Sequence, residues 1–385
     1  MNVLLEAHRL VRTRDFGGID SYWRCLIPEL LAAREPRDRI GLFTAFLNPK
    51  HLRSLLPYRR RGAVLRHWWA NPDWFQGLGR LGLRFEHLAG PADVVHLPEP
   101  VAPIPTRKPL VVTAHDLMYL HAPQYLEPRW TDRLMAGTAA LAKRATLWIA
   151  VSEHTREDLI RHFGVPRGRT VVIPHGLDER FRQAATEPAE LSASLQEKLP
   201  RNKGFFLFVG SVEPKKNLPS LLRAFAAAIE QQGLASDLVV AGRAGWGVES
   251  IQEVLERHPA LQERVHFTGF IDHADLPHLV ARARALVLPS RYEGFGMPVI
   301  EAMAAGTPVL CSNRAALPEV AGGAAVLFEP DDVDGLAELL QHIDGDDTAC
   351  ENLERLGRAH AERFSWPRCA RETLAAYRRA RELPR

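Results

Sequence analysis

Two glutamates eight residues apart enclose a glycine-rich turn in the second half of this 385-residue sequence. Glu293 and Glu301 lie on either side of Gly294 and Gly296. Backbone amides beside glycines, at the start of a helix, can hold a diphosphate. Carboxylates accept hydrogen bonds from hydroxyl groups. Because two carboxylates would repel an anion unless each had another task, we assign Glu301 to a ribose diol and Glu293 to a sugar.

The helix that carries Glu301 is predicted to be short. Pro298 suits the first turn of a helix, and Gly306 suits its C-terminal cap.

A second loop, between Gly210 and Asn217, carries Lys215 and Lys216 just before a predicted helix. Glycine lets the backbone turn tightly beside a bound group, and a lysine near a helix amino terminus favours an anion. Taken alone, the loop fits an ordinary connection with two solvated lysines better. The glutamate segment makes an anion site the better interpretation.

Both segments follow short apolar runs that alternate with helical patterns, which is typical of βαβ units and a parallel sheet. Ligands of such sheets bind outside the carboxyl ends of the strands. The predicted strands are Val3–Ala7, Ile40–Phe46, Asp93–His96, Leu110–Ala114, Leu147–Val151 and Thr170–Ile173, then Phe205–Val209, Asp237–Ala241, Val265–Thr268, Ala285–Leu288, Pro308–Cys311 and Ala325–Phe328.

This alternation predicts an α/β chain of two doubly wound, Rossmann-like domains. We expect a first domain over residues 1–178, a linker over 179–203, and a second domain over 204–360. A C-terminal helix over 361–385 is expected to cross back to the first domain.

The stretch from Arg291 to Pro308 closely resembles the Glu-x7-Glu motif of retaining glycosyltransferase family 4, which has the GT-B fold. The resemblance covers most of the chain, with weaker landmarks in the first half such as Thr113 to Leu117 and Ile173 to Asp178. It implies two Rossmann-like domains facing a cleft, with the donor on the second domain and the acceptor mainly on the first. It also implies a hexosyltransferase similar to bacterial mannosyl- and rhamnosyltransferases of cell-surface polysaccharide synthesis.

The resemblance carries donor-binding roles onto particular positions. Lys216 would bind the diphosphate, Glu293 the sugar and Glu301 the ribose, while the loop at Gly269 and Phe270 would lie against the base. Backbone amides would come from Gly294, Phe295, Gly296 and Met297.

The sequence departs from the family pattern at Ser211, where many members carry arginine directly after the loop glycine. Lys215 or Arg291 are candidates for the missing cation.

In the first domain, His115 follows the predicted strand Leu110–Ala114. A lone histidine there is more often structural, but the resemblance places it beside the donor sugar as a catalytic residue with Lys216 and Glu293. Gly17 and Gly18 are expected to form a loop whose amides approach the donor phosphates, although a simple turn also explains them.

The resemblance favours front-face attack, in which the leaving phosphate oxygen accepts the acceptor proton. No Asp-x-Asp stands in a strand-end loop of the kind that would hold Mg²⁺, and Asp331-Asp332 lies after the last predicted strand. We therefore expect no metal and no cofactor besides the nucleotide-sugar co-substrate, with activity that survives EDTA.

Charge and cysteine usage limit partners and location. The net charge of +3 is too small on this length to indicate a nucleic-acid partner. The four cysteines have no metal-ligand spacing, and neither a leader nor a membrane-length apolar run is evident, so we expect a cytoplasmic protein. The basic and aromatic region from Lys50 to Phe75 fits peripheral contact with the inner face of the plasma membrane and a solvated loop equally well.

Other functions stay open at this point: a nucleotide-sugar epimerase of the same architecture, or a catalytically silent nucleotide-sugar-binding subunit. An NAD-dependent oxidoreductase is disfavoured because no Gly-x-Gly-x-x-Gly follows the first strand of either half. The sequence itself does not indicate the donor base. The resemblance suggests GDP-mannose as donor and a glycan or lipid-linked molecule as acceptor.

Overall fold

The computed structural model describes residues 1–11, 18–69, 84–101, 104–201 and 203–384. The chain forms two compact units. Unit 1 comprises Met1–Gly176 and Ser365–Arg385, and unit 2 comprises Leu177–Phe364.

A seven-stranded parallel sheet forms the centre of unit 1, in the order β3-β2-β1-β4-β5-β6-β7. Buried aliphatic and aromatic side chains cover both of its faces. Its strands are β1 Asn2–Glu6, β2 Arg39–Ala45, β3 Val64–Trp68, β4 Val94–Leu97, β5 Leu110–Ala114, β6 Leu147–Ala150 and β7 Thr170–Val172.

Strand β3 is an addition to the six strands predicted for this half. It lies within the basic and aromatic region, at the edge of the sheet, and none of its residues is fully buried. A half-exposed edge strand carries Arg66 and His67, so it lacks the continuous apolar run by which buried parallel strands are recognised.

The helices of unit 1 include one from the far end of the sequence. The hydroxyl oxygen of Tyr377, on the C-terminal helix, lies 2.7 Å from His96 Nδ1 inside the unit 1 core. The helices are α1 Gly18–Ala33, α2 Leu56–Arg60, α3 Phe85–Ala89, α4 Met118–His121, α5 Pro128–Ala142, α6 Glu153–Phe163 and, after unit 2, α16 Trp366–Glu382.

Unit 2 contains a six-stranded parallel sheet in the order β10-β9-β8-β11-β12-β13. All six strands were predicted, and their ends differ from the prediction by one residue at most. They are β8 Phe205–Val209, β9 Asp237–Ala241, β10 Val265–Gly269, β11 Ala285–Leu288, β12 Val309–Ser312 and β13 Val326–Phe328.

The helices of unit 2 begin inside the segment that was predicted as a linker. Phe181 and Ala184 are buried on the first of them, which packs on α11 and α12, so residues 179–203 belong to the packed unit. The helices are α7 Glu179–Thr186, α8 Ala193–Gln196, α9 Leu218–Gln232, α10 Glu249–Arg257, α11 Leu276–Ala281, α12 Met297–Ala305, α13 Leu317–Ala321, α14 Val333–Gly345 and α15 Asp347–Ala361.

The strand order places a topological switch point between β8 and β11, since the chain winds outward in opposite directions from these two neighbours. Loops that follow such strands diverge and leave room for a ligand. The loop after β8 contains Lys216, and the loop after β11 contains Glu293. The sheet therefore brings the two predicted site segments to one edge.

No helix in the described part of the chain is both long enough and apolar enough to cross a membrane.

Candidate functional site

A lysine and a glutamate that are 77 residues apart in sequence meet at the carboxyl edge of the unit 2 sheet. Lys216 Nζ donates a hydrogen bond to Glu293 Oε1 over 2.5 Å. Ser290 Oγ donates to the same oxygen over 2.7 Å. The lysine and glutamate side chains are 12% and 11% exposed, so the pair is shielded from bulk water but reachable from the edge.

Glu293 is ionised in this setting. Burial favours the neutral acid, but the nearby charges of Lys216 and Lys215, with the hydrogen bonds from Lys216 and Ser290, outweigh it and hold the Glu293 pKa below its usual value. The carboxylate therefore remains an acceptor at neutral pH, and its second oxygen can accept hydrogen bonds from a ligand hydroxyl.

Helix α12 begins directly behind this pair, as its sequence predicts. Gly296 caps its amino end with φ of 103°, Pro298 lies in its first turn, and Gly306 caps its carboxyl end with φ of 77°. A Cβ atom on Gly296 would lie 2.6 Å from Leu317 Cδ2. Met297 supplies the first backbone amide of α12, Pro298 has no N–H, and Val299 N donates to Gly296 O over 3.0 Å. The positive end of the helix dipole makes this end attractive to an anion.

The residues before α12 are packed. Gly294, Phe295 and Gly296 are buried, and Met297 is half-buried. The Phe295 ring packs edge-on against Phe364 at 5.9 Å. The turn is thereby fixed by apolar packing, as a preorganised anion site requires.

Glu301 lies in a different electrostatic environment from Glu293. It is half-buried in α12, and burial together with the neighbouring Asp178 charge raises its pKa to about 7, with Arg180 acting in the opposite direction. Near neutral pH its carboxyl group is therefore close to half protonated.

The loops after β8, β9 and β10 are joined through their glycines. Gly210 N donates to Ala241 O, and Gly242 N donates to Gly269 O, each over 2.9 Å. A Cβ atom on Gly242 would lie 1.8 Å from Gly210 O, so only glycine permits this approach. Gly210 has φ of 148°, and a Cβ atom there would touch the Lys216 stem at 3.5 Å.

An aromatic ring and a guanidinium group project from this edge. Phe270 is 49% exposed and follows Gly269, which has φ of 73°. The Arg243 guanidinium lies 4.4 Å from the centre of the Phe270 ring. Arg243 was missed in the sequence, although its place after Gly242 at the end of β9 could have indicated it. An exposed ring that a cation already holds in place is a suitable surface for stacking a base.

The loop after β8 carries the exposed Ser211 where many family members carry a cation. Of the two candidates to replace it, Arg291 forms an ion pair with Asp331 at 2.5 Å. Lys215 Nζ lies 3.9 Å from Glu213 and is close enough to Glu293 to lower its pKa. Lys215 is therefore the candidate whose charge acts on the Lys216–Glu293 pair.

In unit 1, His115 follows β5 and stacks on His175, with ring centres 5.3 Å apart and Nδ1 of His115 3.4 Å from Nε2 of His175. The Tyr22 ring contacts His115 edge-on at 4.7 Å. Burial, and then the proximity of His175, hold the His115 pKa well below its usual value. His115 is therefore neutral at pH 7 and can exchange hydrogen bonds but supplies no charge.

Of the two glycines predicted to approach the phosphates, Gly18 is the first residue of α1 and so offers a helix amino terminus in place of a loop. Gly17 lies outside the described residues, as do Trp74 and Phe75 of the basic and aromatic region.

Solved structures share this architecture along almost the whole chain. Sucrose-phosphate synthase from Thermosynechococcus elongatus covers 98% of this chain and 98% of its own, with a TM-score of 0.72 and 22% identity. HepE from Anabaena, solved in complex with UDP, covers 97% of this chain and 98% of its own, with a TM-score of 0.70 and 20% identity. These likenesses, with the two parallel sheets, define a GT-B fold.

Sequence comparisons identify the family to which this chain belongs. Residues 16–181 match the family model described as Glycosyltransferase Family 4, and residues 193–361 match Glycosyl transferases group 1. O-antigen chain mannosyltransferase B of Escherichia coli is 35% identical over 272 residues, which are 70% of this chain and 70% of that protein. The chain belongs to glycosyltransferase family 4 and is a hexosyltransferase.

Replacing Gly296 by alanine should destabilise unit 2 more than the same change at Gly323. Both glycines have positive φ, but a Cβ atom on Gly323 would meet no atom within 4 Å. Gly323→Ala should cost about 1 to 2 kcal/mol from backbone conformation alone. Gly296→Ala should cost about 1 to 3 kcal/mol more, because its methyl group meets Leu317. Urea unfolding measures both, and equal losses would contradict the packed start of α12.

Proposed function

We propose that this enzyme transfers a mannosyl group from a nucleoside-diphosphate donor, with GDP-mannose as the donor, to a glycan or lipid-linked acceptor in cell-surface polysaccharide synthesis, with retention of anomeric configuration. The observation that carries the donor part is the Lys216–Glu293 pair beside the amino end of α12. The mannosyl part is supported by the relative named as an O-antigen chain mannosyltransferase.

In this proposal the diphosphate binds where Lys216 Nζ, Lys215 and the Met297 amide at the start of α12 can donate to it. Glu293 positions Lys216 through the 2.5 Å hydrogen bond, and its other oxygen accepts from sugar hydroxyls. Glu301 accepts from the ribose diol, and the base stacks near Phe270. Ser211, Gly269 and the turn from Gly294 to Met297 complete the donor contacts.

The transfer step needs charge stabilisation more than proton shuttling by the protein. The bond between the sugar anomeric carbon and the phosphate oxygen breaks, the acceptor oxygen bonds to the same face of that carbon, and the acceptor proton passes to the leaving phosphate oxygen. Cations and fixed amides stabilise the charge that accumulates on that phosphate. Lysine takes the role that Mg²⁺ has in other transferases, and neutral His115 hydrogen-bonds a sugar or acceptor hydroxyl.

The proposal is tested by a screen of UDP-, GDP-, ADP- and dTDP-sugars by thermal shift, followed by product analysis with the donor that binds. A ligand that binds the folded enzyme raises its melting temperature. We expect stabilisation by GDP-mannose, an α-linked mannoside as product, and activity retained in EDTA. Inversion of the anomeric centre, or a strict requirement for a divalent cation, would overturn the mechanism, and response to another donor alone would overturn the choice of GDP-mannose.

Lys216→Ala should reduce turnover by roughly 10²- to 10³-fold, because it removes one preorganised donor from the leaving diphosphate. Lys203→Ala is the matched control in the same unit, since Lys203 lies before β8 and its Nζ is 3.6 Å from Asp237 at the opposite edge of the sheet. Steady-state kinetics with the identified donor measures both. Turnover of the Lys216 variant within a few-fold of the Lys203 variant would exclude the proposed role.

Donor affinity should increase with pH through about 7, because the Glu301 carboxyl must lose its proton to accept both ribose hydroxyls. If only the carboxylate binds, affinity at pH 6 is about tenfold weaker than at pH 8. Calorimetry with the nucleotide sugar suits this test because its diphosphate stays fully ionised in the range. Glu301→Gln should remove the dependence, and the exposed Glu338→Gln should keep it. The same pH profile in Glu301→Gln would show that another group titrates.

We also propose that the described part of the region from Lys50 to Phe75 contacts an anionic membrane on which a lipid-linked acceptor resides. Arginines of α2 and of the 3₁₀ helix Pro49–Leu55 are exposed next to exposed apolar side chains. Cations beside inserted rings and aliphatic groups favour such surfaces. The exposed basic and large apolar residues of the described part are Lys50, Arg53, Leu56, Arg59, Arg60, Arg61, Arg66 and Trp69, with Leu47 just before it.

Changing Arg59, Arg60 and Arg61 together to glutamate should weaken co-sedimentation with phosphatidylglycerol vesicles by at least tenfold, since each basic residue contributes about 1 kcal/mol. The matched control makes the same change at three exposed arginines of unit 2, Arg201, Arg223 and Arg355. Equal binding by the two variants would assign the region to a solvated surface.

A further inference from the structure

Helix α6 of unit 1 carries two histidines and an aspartate at intervals of four residues. His154, Asp158 and His162 therefore lie along one face of the helix. A third histidine, His121, is the last residue of α4 and faces the same aspartate. None of these residues is among those assigned to donor binding or transfer above.

All three imidazoles approach one carboxylate through the same ring atom. His121 Nε2 lies 2.7 Å and His154 Nε2 3.5 Å from Asp158 Oδ2. His162 Nε2 lies 3.8 Å from Asp158 Oδ1. The ligand atoms of His121, Asp158 and His162 all lie within 4.8 Å of one another.

These distances suit a shared metal ion. Nitrogen and oxygen ligands of Zn²⁺ lie about 2.0 to 2.2 Å from the metal, so two ligand atoms on one tetrahedral ion are about 3.3 to 3.6 Å apart. Rotation of the side chains on binding would bring the ligand atoms of His121, Asp158 and His162, which lie within 4.8 Å of one another, to this spacing. Two imidazoles and one carboxylate form a donor set that prefers Zn²⁺ and its neighbours among transition metals to Mg²⁺ or Ca²⁺.

Burial supports an ion-binding arrangement. The Asp158 side chain is 5% exposed, whereas those of His121, His154 and His162 are between 29% and 37% exposed. A buried carboxylate fixes the position of the ion, and the half-exposed imidazoles leave a route from solvent. Hydrogen bonds between the imidazoles and the carboxylate are the competing explanation, and titration with zinc separates the two.

We propose that His121, Asp158 and His162 bind one Zn²⁺ ion. The ion ties the end of α4 to α6, two segments joined in sequence only through α5 and β6. Three protein ligands leave one position of the ion for water.

The test is calorimetric titration of the metal-stripped full chain with ZnCl₂. We expect one equivalent to bind ahead of any weaker sites and to raise the melting temperature, with no such effect from MgCl₂. His162→Asn should weaken this first binding event by at least tenfold, because asparagine offers no group in the position of Nε2. Circular dichroism of the metal-free variant shows whether it remains folded.

His342→Asn is the matched control. His342, on α14, also stands four residues before an aspartate, and its Nε2 lies 4.0 Å from Asp346 at the end of that helix, but among the described residues no third ligand accompanies this pair. The His342→Asn variant should bind Zn²⁺ like the wild type. Co²⁺ bound to the wild type should show the visible absorption of tetrahedral coordination, and His162→Asn should lose it.

Two results would overturn the proposal. One is the absence of a stoichiometric first Zn²⁺ in the folded wild type. The other is first-site binding that is the same in His162→Asn as in His342→Asn, which would place any bound zinc elsewhere on the surface.

Discussion

At the carboxyl edge of the unit 2 sheet, an ammonium group and a carboxylate are buried together, and burial of either charge without the other would be unfavourable. Lys216 and Glu293 are each almost nine-tenths buried and 2.5 Å apart. Desolvation of a single charge in such a place costs several kcal/mol unless a partner compensates it. The pair is thus a constraint on the fold: β8 and β11 must be neighbours, and the loops after them must be held within hydrogen-bonding distance.

Glycines in the surrounding loops allow the backbone to approach closely enough to hold this pair in place. Gly242 brings the loop after β9 against Gly210, and Gly296 starts α12 where any larger residue would strike Leu317. Buried Phe295 then fixes the turn between Glu293 and the helix. Because these features position cations and amides before any ligand arrives, little reorganisation is needed when charge develops on a leaving diphosphate.

The sequence was most informative where local pattern and chemistry coincide. The six strands of unit 2 are continuous apolar runs, and α12 has proline and glycine at its ends, so these elements and the loops with Lys216 and Glu293 could be predicted. Strand β3 could not, since an edge strand with Arg66 and His67 resembles a basic loop. Long-range contacts could not be predicted from the sequence either, because they depend on tertiary packing. Examples are the stacking of His115 on His175, the Arg243–Phe270 contact, and the contact of His121 with α6.

The most direct measurement of the central claim is calorimetric binding of nucleoside diphosphates and the matching monophosphates to the wild type and to Lys216→Ala. If the Lys216–Glu293 pair and the amino end of α12 form a diphosphate site, the wild type binds the diphosphate of its preferred base at least tenfold more tightly than the monophosphate, and Lys216→Ala loses that preference. A preference that survives in Lys216→Ala, or equal binding of both nucleotides by the wild type, would contradict the account.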